Sequence, residues 1–262
     1  MAHSARRASG WGAPAVTGAP PTGVRAVLFD AMGTLLALAD PAPALAAALR
    51  ARHGIEITPA QARAALAAEI AYYRAHHDDG RDEASLRELR LRCARVLGDA
   101  LPAAAGRLED DALLASLLAA LRFRAFADAP VALAALRRRG VRVAVVSNWD
   151  VSLPGVLRDV GLLERLDAVL TSAQVGAAKP DPAIFTAALA RVGVSAPQAV
   201  HVGDSLEQDV CGARASGLRA ILLRRGGDGP DAPGVPVIAS LAALPGLVDD
   251  SPSAAGRGPW TP

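Results

Sequence analysis

Lysine is almost missing from this chain: of 28 basic residues only Lys179 is a lysine, and Asn148 is likewise the sole asparagine. Positive charge otherwise rests on arginine, so a position that stays lysine points to a need for a compact ammonium. The two cysteines, Cys93 and Cys211, are too few and too far apart for a disulfide framework or a zinc site. They are expected to be buried thiols in a reducing, cytoplasmic compartment. No run approaches the roughly 18 consecutive apolar residues of a membrane helix, so no membrane partner is expected. A net charge of +2, with arginines scattered among acidic residues, argues against a nucleic-acid surface. The expected partner is a small soluble molecule, and the chain is read as a monomer or homodimer.

What is present points to one sheet. With 262 residues and 52% hydrophobic content the chain can bury one large core and a smaller insert. Residues 1–22 and 249–262, rich in Ala, Pro, Gly and Ser, are expected to be a disordered leader and tail. Between them short apolar runs alternate with helical patterns. The runs Val24 to Phe29, Val141 to Val146, Ala168 to Leu170, Ala199 to Val202 and Ala220 to Leu223 read as buried parallel strands. A last strand is expected near Val235 to Ile238, followed by a helical piece from Leu241 to Leu247. The fold class is α/β, a Rossmann-like doubly wound parallel sheet, whose ligands bind beyond the carboxyl ends of the strands.

More than a hundred residues separate the first two strands, far beyond what a crossover requires. Ala44 to Arg52, a segment opened by Thr58-Pro59 with Gln61 as capping partner, Leu86 to Leu97 and Ala112 to Phe123 read as helices. Residues 23–37 and 127–248 are therefore assigned to the core and 38–126 to an inserted helical cap.

Asp30 ends the first run and opens Asp30-Ala31-Met32-Gly33-Thr34-Leu35. A strand-end carboxylate can attack an electrophile, hold a divalent cation, or cap a helix. Gly33 permits a tight turn, and Thr34 can brace the carboxylate by hydrogen bonding. Gly203-Asp204 and Asp209 follow a later strand and can face one pocket, a set suited to a hard cation such as Mg²⁺. Ser147 can hold anionic oxygens, and Lys179, in Ala178-Lys179-Pro180-Asp181, can neutralise charge on the nucleophile and the transferring group.

In order and spacing these elements resemble the haloacid dehalogenase superfamily, whose phosphatase members carry DxDGT, a strand-end Ser or Thr, Lys before Pro, and GDxxxxD. The resemblance covers roughly Val24 to Leu247. It implies a helical cap of the C1 type, inserted after the first motif. It further implies Asp30 as nucleophile through an aspartyl-phosphate, Lys179 as charge stabiliser, and Thr34, Ser147 and Asn148 as substrate-binding residues. Mg²⁺ would be held by Asp30, the Met32 carbonyl, Asp204 and Asp209, and the substrate would be a small phosphorylated molecule.

Met32 departs from the pattern, because phosphatases of this superfamily usually place there the Asp that protonates the leaving group. A thioether cannot transfer protons. Two alternatives therefore stay open beside the phosphatase: a catalytically silent phospho-ligand binder or scaffold, and a dehalogenase-like hydrolase. The acidic Asp204 and Asp209 count against a metal-free dehalogenase. Substrate choice is expected from the insert, with at least one of Tyr73, Arg74, His76 or His77 facing the pocket. Asp150 reads as the N-cap of the following helix.

Overall fold

The computed structural model describes residues 23–226 and 232–248; the expected leader 1–22 and tail 249–262 lie outside them. Six strands form the main sheet among the described residues: β1 Ala26–Phe29, β4 Arg142–Ser147, β5 Ala168–Thr171, β6 Ala199–Gly203, β7 Arg219–Leu223 and β8 Val237–Ile238. Their spatial order is β5-β4-β1-β6-β7-β8, and every pairing is parallel. β1 lies at the centre with all four residues buried, as its uninterrupted apolar run requires. The order reverses between β4 and β6 on either side of β1, and such a switch point is where a ligand crevice opens.

Among the described residues of the core the helices are α6 Ala129–Arg138, α7 Leu153–Asp159, α8 Ser172–Val175, α9 Pro182–Val192, α10 Gly212–Ala215 and α11 Leu244–Leu247, with a wider turn of helix at Leu206–Cys211. One apolar layer joins Phe29, Val143, Val145 and Val202 to Leu133 and Leu136 of α6. The other joins Leu28, Ala144 and Val146 to Ile184, Phe185 and Ala188 of α9. Alternate residues of one strand thus fill opposite layers, the period-two logic of a sheet covered on both sides.

Between β1 and β4 the chain makes an antiparallel ribbon, β2 Leu36–Leu38 with β3 Phe123–Ala125, and five helices are strung between its strands. These are α1 Pro41–His53, α2 Pro59–His76, α3 Glu83–Ala100, α4 Ala103–Gly106 and α5 Asp110–Ala120. Their core packs Leu45, Leu49, Leu66, Leu89, Leu97 and Leu117, and burying each leucine is worth roughly 1.5–3 kcal/mol. The Thr58–Gln61 capping box forms as expected. Three sequence expectations need correction. The first helix begins at Pro41, capped by Asp40, rather than at Ala44. The last one stops at Ala120, so Phe123 is a strand residue paired with Leu38, its ring 5.4 Å from that of Trp149. Cys93 is buried, but Cys211 is exposed.

Within the insert, α2 buries Glu69 beside Cys93 of α3. Burial pushes the Glu69 carboxyl up from 4.5 to about 7, only partly offset by a hydrogen bond to the thiol. The folded chain therefore keeps a proton on Glu69 that the unfolded chain releases above 4.5. Stability should fall as pH rises from 4.5 to about 7 and then level off, by about 3 kcal/mol in all. Glu69→Gln removes that titration. Urea unfolding should find the variant more stable than wild type at about pH 8 and nearly equal at 4.5; a gap independent of pH would contradict this. No helix among the described residues is long and apolar enough to cross a membrane.

Candidate active site

Asp30 stands where β1 leaves the sheet, its amide held by the Val202 carbonyl of β6 at 2.9 Å. Ser147, the last residue of neighbouring β4, donates its hydroxyl to Asp30 Oδ1 at 3.2 Å. Lys179 Nζ donates to the same oxygen at 2.8 Å and to Asp209 Oδ1 at 2.6 Å, and its side chain is 1% exposed. The one lysine of the chain is thus a buried bridge between two carboxylates. Asp30 Oδ2 takes no hydrogen bond among the described residues, so one oxygen is left for chemistry.

Asn148 does something other than the expected substrate binding. Its Oδ1 accepts from the Lys179 amide at 2.7 Å and its Nδ2 donates to the Lys179 carbonyl at 2.9 Å. Both halves of the only asparagine bond the backbone of the only lysine, and Nδ2 also reaches Gln208 Oε1 at 3.5 Å. A side-chain amide can offer a donor and an acceptor side by side in this way, which a carboxylate or an ammonium cannot. The Thr34 expectation also fails in part: the residue is fully buried, but its Oγ1 has no hydrogen-bond partner and does not brace Asp30.

The turn after Asp30 brings the acidic groups together. Gly33 has φ +80°, and a Cβ there would collide with the Asp204 carboxylate; a Cβ on Gly203 would collide with Asp209. Both glycines are therefore required by close approach. One oxygen each from Asp30, Asp204 and Asp209 lies within 4.8 Å of the others. Of the three, Asp209 is the most committed elsewhere. Its Oδ1 takes Lys179 and His201 Nε2 (2.9 Å), and its Oδ2 takes the Ser205 amide at 2.9 Å. Asp209 holds Lys179 from behind while its Oδ2, which accepts only the Ser205 amide, stays in the acidic group as additional support. Asp204 is exposed and receives no donor from another side chain among the described residues.

Electrostatics follow from this crowding. Burial pushes Asp30 up against the pull of the Lys179 ammonium. Although Asp204 is exposed as a residue, partial desolvation of its carboxyl, together with the Asp30 and Asp209 charges, pushes it up to about 6. Burial would lower Lys179, yet the two carboxylates hold it above the ordinary lysine value, so it is charged. Burial would likewise raise Asp209, but Lys179 and His201 hold it well below the carboxylate range. His201 is pushed down by burial and is neutral, so its Nε2–H is the donor to Asp209. Three carboxylates crowd one ammonium, an acidic arrangement suited to a cation. Carboxylate oxygens of this cluster are of the hard type that Mg²⁺ takes.

The insert is hydrogen-bonded to the loop that follows Ser147 and Asn148. Tyr73 of α2 donates its hydroxyl to Asp150 Oδ2 at 2.9 Å, and the Val151 amide donates to the Gly80 carbonyl at 3.0 Å. Asp150 Oδ1 accepts from the Ser152 amide at 2.7 Å, whereas α7 begins at Leu153 with Ser152 as its N-cap residue. Asp150 is thus a partner of the insert rather than a helix cap. His76 stacks on Tyr72 at 4.0 Å and bonds the Tyr72 carbonyl, and Arg74 is exposed. Of the four named insert residues, Tyr73 is the one bonded to the loop after Ser147 and Asn148.

A family model described as haloacid dehalogenase-like hydrolase matches residues 24–217, which contain every residue of this constellation. The chain belongs to the haloacid dehalogenase-like hydrolases. Among its relatives is the haloacid dehalogenase-like hydrolase domain-containing protein 3 of Danio rerio, 42% identical over 124 residues, 46% of this chain and 51% of that protein. A phosphoserine phosphatase of Thermus thermophilus is 37% identical over 138 residues, half of this chain and 54% of the relative. The match thus spans about half the length of these curated relatives. A crystal structure of a HAD phosphatase from Thermococcus onnurineus aligns with TM-score 0.60 and 28% identity, covering 86% of this chain and 97% of that one.

His201 was visible as the one polar residue inside the apolar run Val200-His201-Val202, a burial that demands a partner. Tyr73 was singled out, but its partner was assigned a capping role, because an acid just before a helix has two readings in sequence.

Proposed function

We propose that this haloacid dehalogenase-like hydrolase cleaves a small phosphate ester with the help of Mg²⁺, through an aspartyl-phosphate on Asp30. The observation that carries the reading is the Lys179 bridge: one ammonium 2.8 Å from Asp30 and 2.6 Å from Asp209, with Ser147 on the same Asp30 oxygen. Asp30 Oδ2 attacks phosphorus, the new O–P bond forms and the ester P–O bond breaks. Water then attacks phosphorus, the O–P bond to Asp30 breaks, and inorganic phosphate leaves with the regenerated carboxylate. Lys179 neutralises Asp30 and the phosphoryl oxygens throughout, while Asp209 and Asn148 fix its ammonium and its backbone. Mg²⁺, when bound by Asp30, Asp204 and the Met32 carbonyl, supplies further charge neutralisation.

In this reading the helices between Leu38 and Phe123 act as a cap, and Tyr73 takes part in choosing the substrate. Met32 offers no proton, so the leaving oxygen departs as an anion or takes its proton from solvent. An aryl phosphate, whose phenolate is a stable anion, is therefore the probe of choice. Its hydrolysis should rise with added Mg²⁺ and stop with a chelator. No turnover at any Mg²⁺ concentration, together with a phosphate-induced rise in thermal stability, would replace the phosphatase by a phospho-ligand binder.

A further inference from the structure

Arg225 lies two residues past β7, at the carboxyl edge of the sheet, where the motifs that define the family do not reach. Its guanidinium makes four separate attachments. Nη1 and Nη2 donate to the two oxygens of Asp128, both at 2.9 Å. Nη2 also donates to the Thr34 carbonyl at 2.7 Å, and Nε to the Gly33 carbonyl at 3.3 Å. Cζ stands 3.7 Å above the centre of the Phe126 ring. Asp128 in turn accepts from Ser240 Oγ at 2.6 Å and from the Leu241 amide at 2.9 Å.

An ion pair with Asp128 would need only the first of these attachments. What it would not need is the grip on residues 33 and 34. Among the described residues those two carbonyls accept from Arg225 and from no backbone amide. They belong to the turn that begins at Asp30, carries the Met32 carbonyl, and packs Gly33 against the Asp204 carboxylate. Phe126 and Asp128 belong to the segment leaving β3, the returning strand of the ribbon, and the Phe126 amide bonds the Leu35 carbonyl at 3.0 Å. One planar fork of five donors therefore ties the nucleophile's turn to the exit of the insert, a geometry open to guanidinium and closed to ammonium.

We propose that Arg225 is a positioning residue, holding the turn 31–34 at its distance from Asp204 while anchoring the ribbon that carries the insert. The proposal rests on the reading of Asp30 and Asp204 as the reactive pair, and its first readout does not. Without the fork the Gly33–Thr34 peptides lose their hydrogen-bond donors and the turn can shift, and displacements of about 1 Å cost up to 10²-fold in rate.

Hydrogen exchange in the full chain, followed by mass spectrometry, tests the placement directly. Arg225→Ala should raise exchange in peptides covering 31–38 and 123–128 by about tenfold or more, with β4 and β6 unchanged. Arg225→Lys should regain thermal stability through Asp128 but leave the 31–38 exchange high. In Mg²⁺-dependent hydrolysis of an aryl phosphate both variants should lose about tenfold in kcat with KM moving less than about threefold. Exchange that stays at the wild-type level in Arg225→Ala, that rises evenly over the whole chain, or that lysine restores at 31–38, overturns the proposal. A wild-type protein without phosphatase activity overturns the reading of the site, while the exchange comparison still decides the role of Arg225.

Discussion

Asp30→Asn is expected to abolish Mg²⁺-dependent hydrolysis while leaving the protein folded. The loss should be roughly 10³-fold or more, since removing a nucleophile elsewhere costs up to about 10⁶-fold. The amide keeps the shape of the carboxylate and can still accept from Ser147 and Lys179 through its oxygen. It cannot form a phosphorylated intermediate. Burial already raises Asp30 in the metal-free protein, so neutralising it should not lower thermal stability; Lys179 keeps its second partner, Asp209. The stabilisation that Mg²⁺ gives the wild type in a thermal melt should, however, shrink or vanish. A variant that still turns over at the wild-type rate would remove Asp30 from the chemistry and with it the covalent mechanism.

Met32→Asp is expected to have the opposite effect. Met32 sits two residues beyond Asp30, in the turn bridged to Leu36, and packs against the apolar layer that includes Trp149. A carboxyl there restores a proton donor, and general acid help is worth roughly 10²–10⁴-fold. The gain should depend on the leaving group. For an alkyl phosphate, whose alkoxide needs a proton, it should approach the upper end of that range; for an aryl phosphate it should be small. Measuring kcat/KM over a series of esters therefore gives a steep dependence on leaving-group pKa in wild type and a shallow one in Met32→Asp. A wild-type series already shallow would mean that another group supplies the proton. Activity confined to Met32→Asp would mean that the natural chain binds rather than cleaves, and a 2-haloacid panel would then test the remaining hydrolytic alternative.

The strands of the main sheet were legible because each is a mostly apolar run ending near a polar residue, the pattern of a sheet buried on both faces, whereas the short ribbon strands Leu36–Leu38 and Phe123–Ala125 were not. Asp30, Ser147 and Asp204 were legible for the same reason, since strand ends converge on one edge whatever the details of packing, and Lys179 stood out as the only lysine. What a side chain does with its second polar atom was not legible. Asn148 turns both atoms towards a backbone thirty-one residues away, and Asp209 fills its oxygens with His201, Lys179 and an amide. These pairings depend on tertiary distances that spacing does not encode. Phe123 was drawn into the preceding helix because its apolar neighbours keep helical spacing, whereas pairing with Leu38 and contact with Trp149 decide the outcome.

The stretch from Ser147 to Val151 faces two ways. Ser147 and Asn148 grip Asp30 and the backbone of Lys179; two residues on, Asp150 and Val151 grip Tyr73 and Gly80 of the insert. In the proposed function, selectivity and turnover would therefore share one short piece of chain. A substitution in α2 that re-aims Tyr73 to admit a different ester pulls on Asp150, and the covalent geometry of three residues carries that pull to the lysine's cradle. Substrate range in such a molecule cannot drift freely through changes in its insert, because each change is also felt where the ammonium is held. Adaptation to a new ester would need matched substitutions on both sides of Trp149.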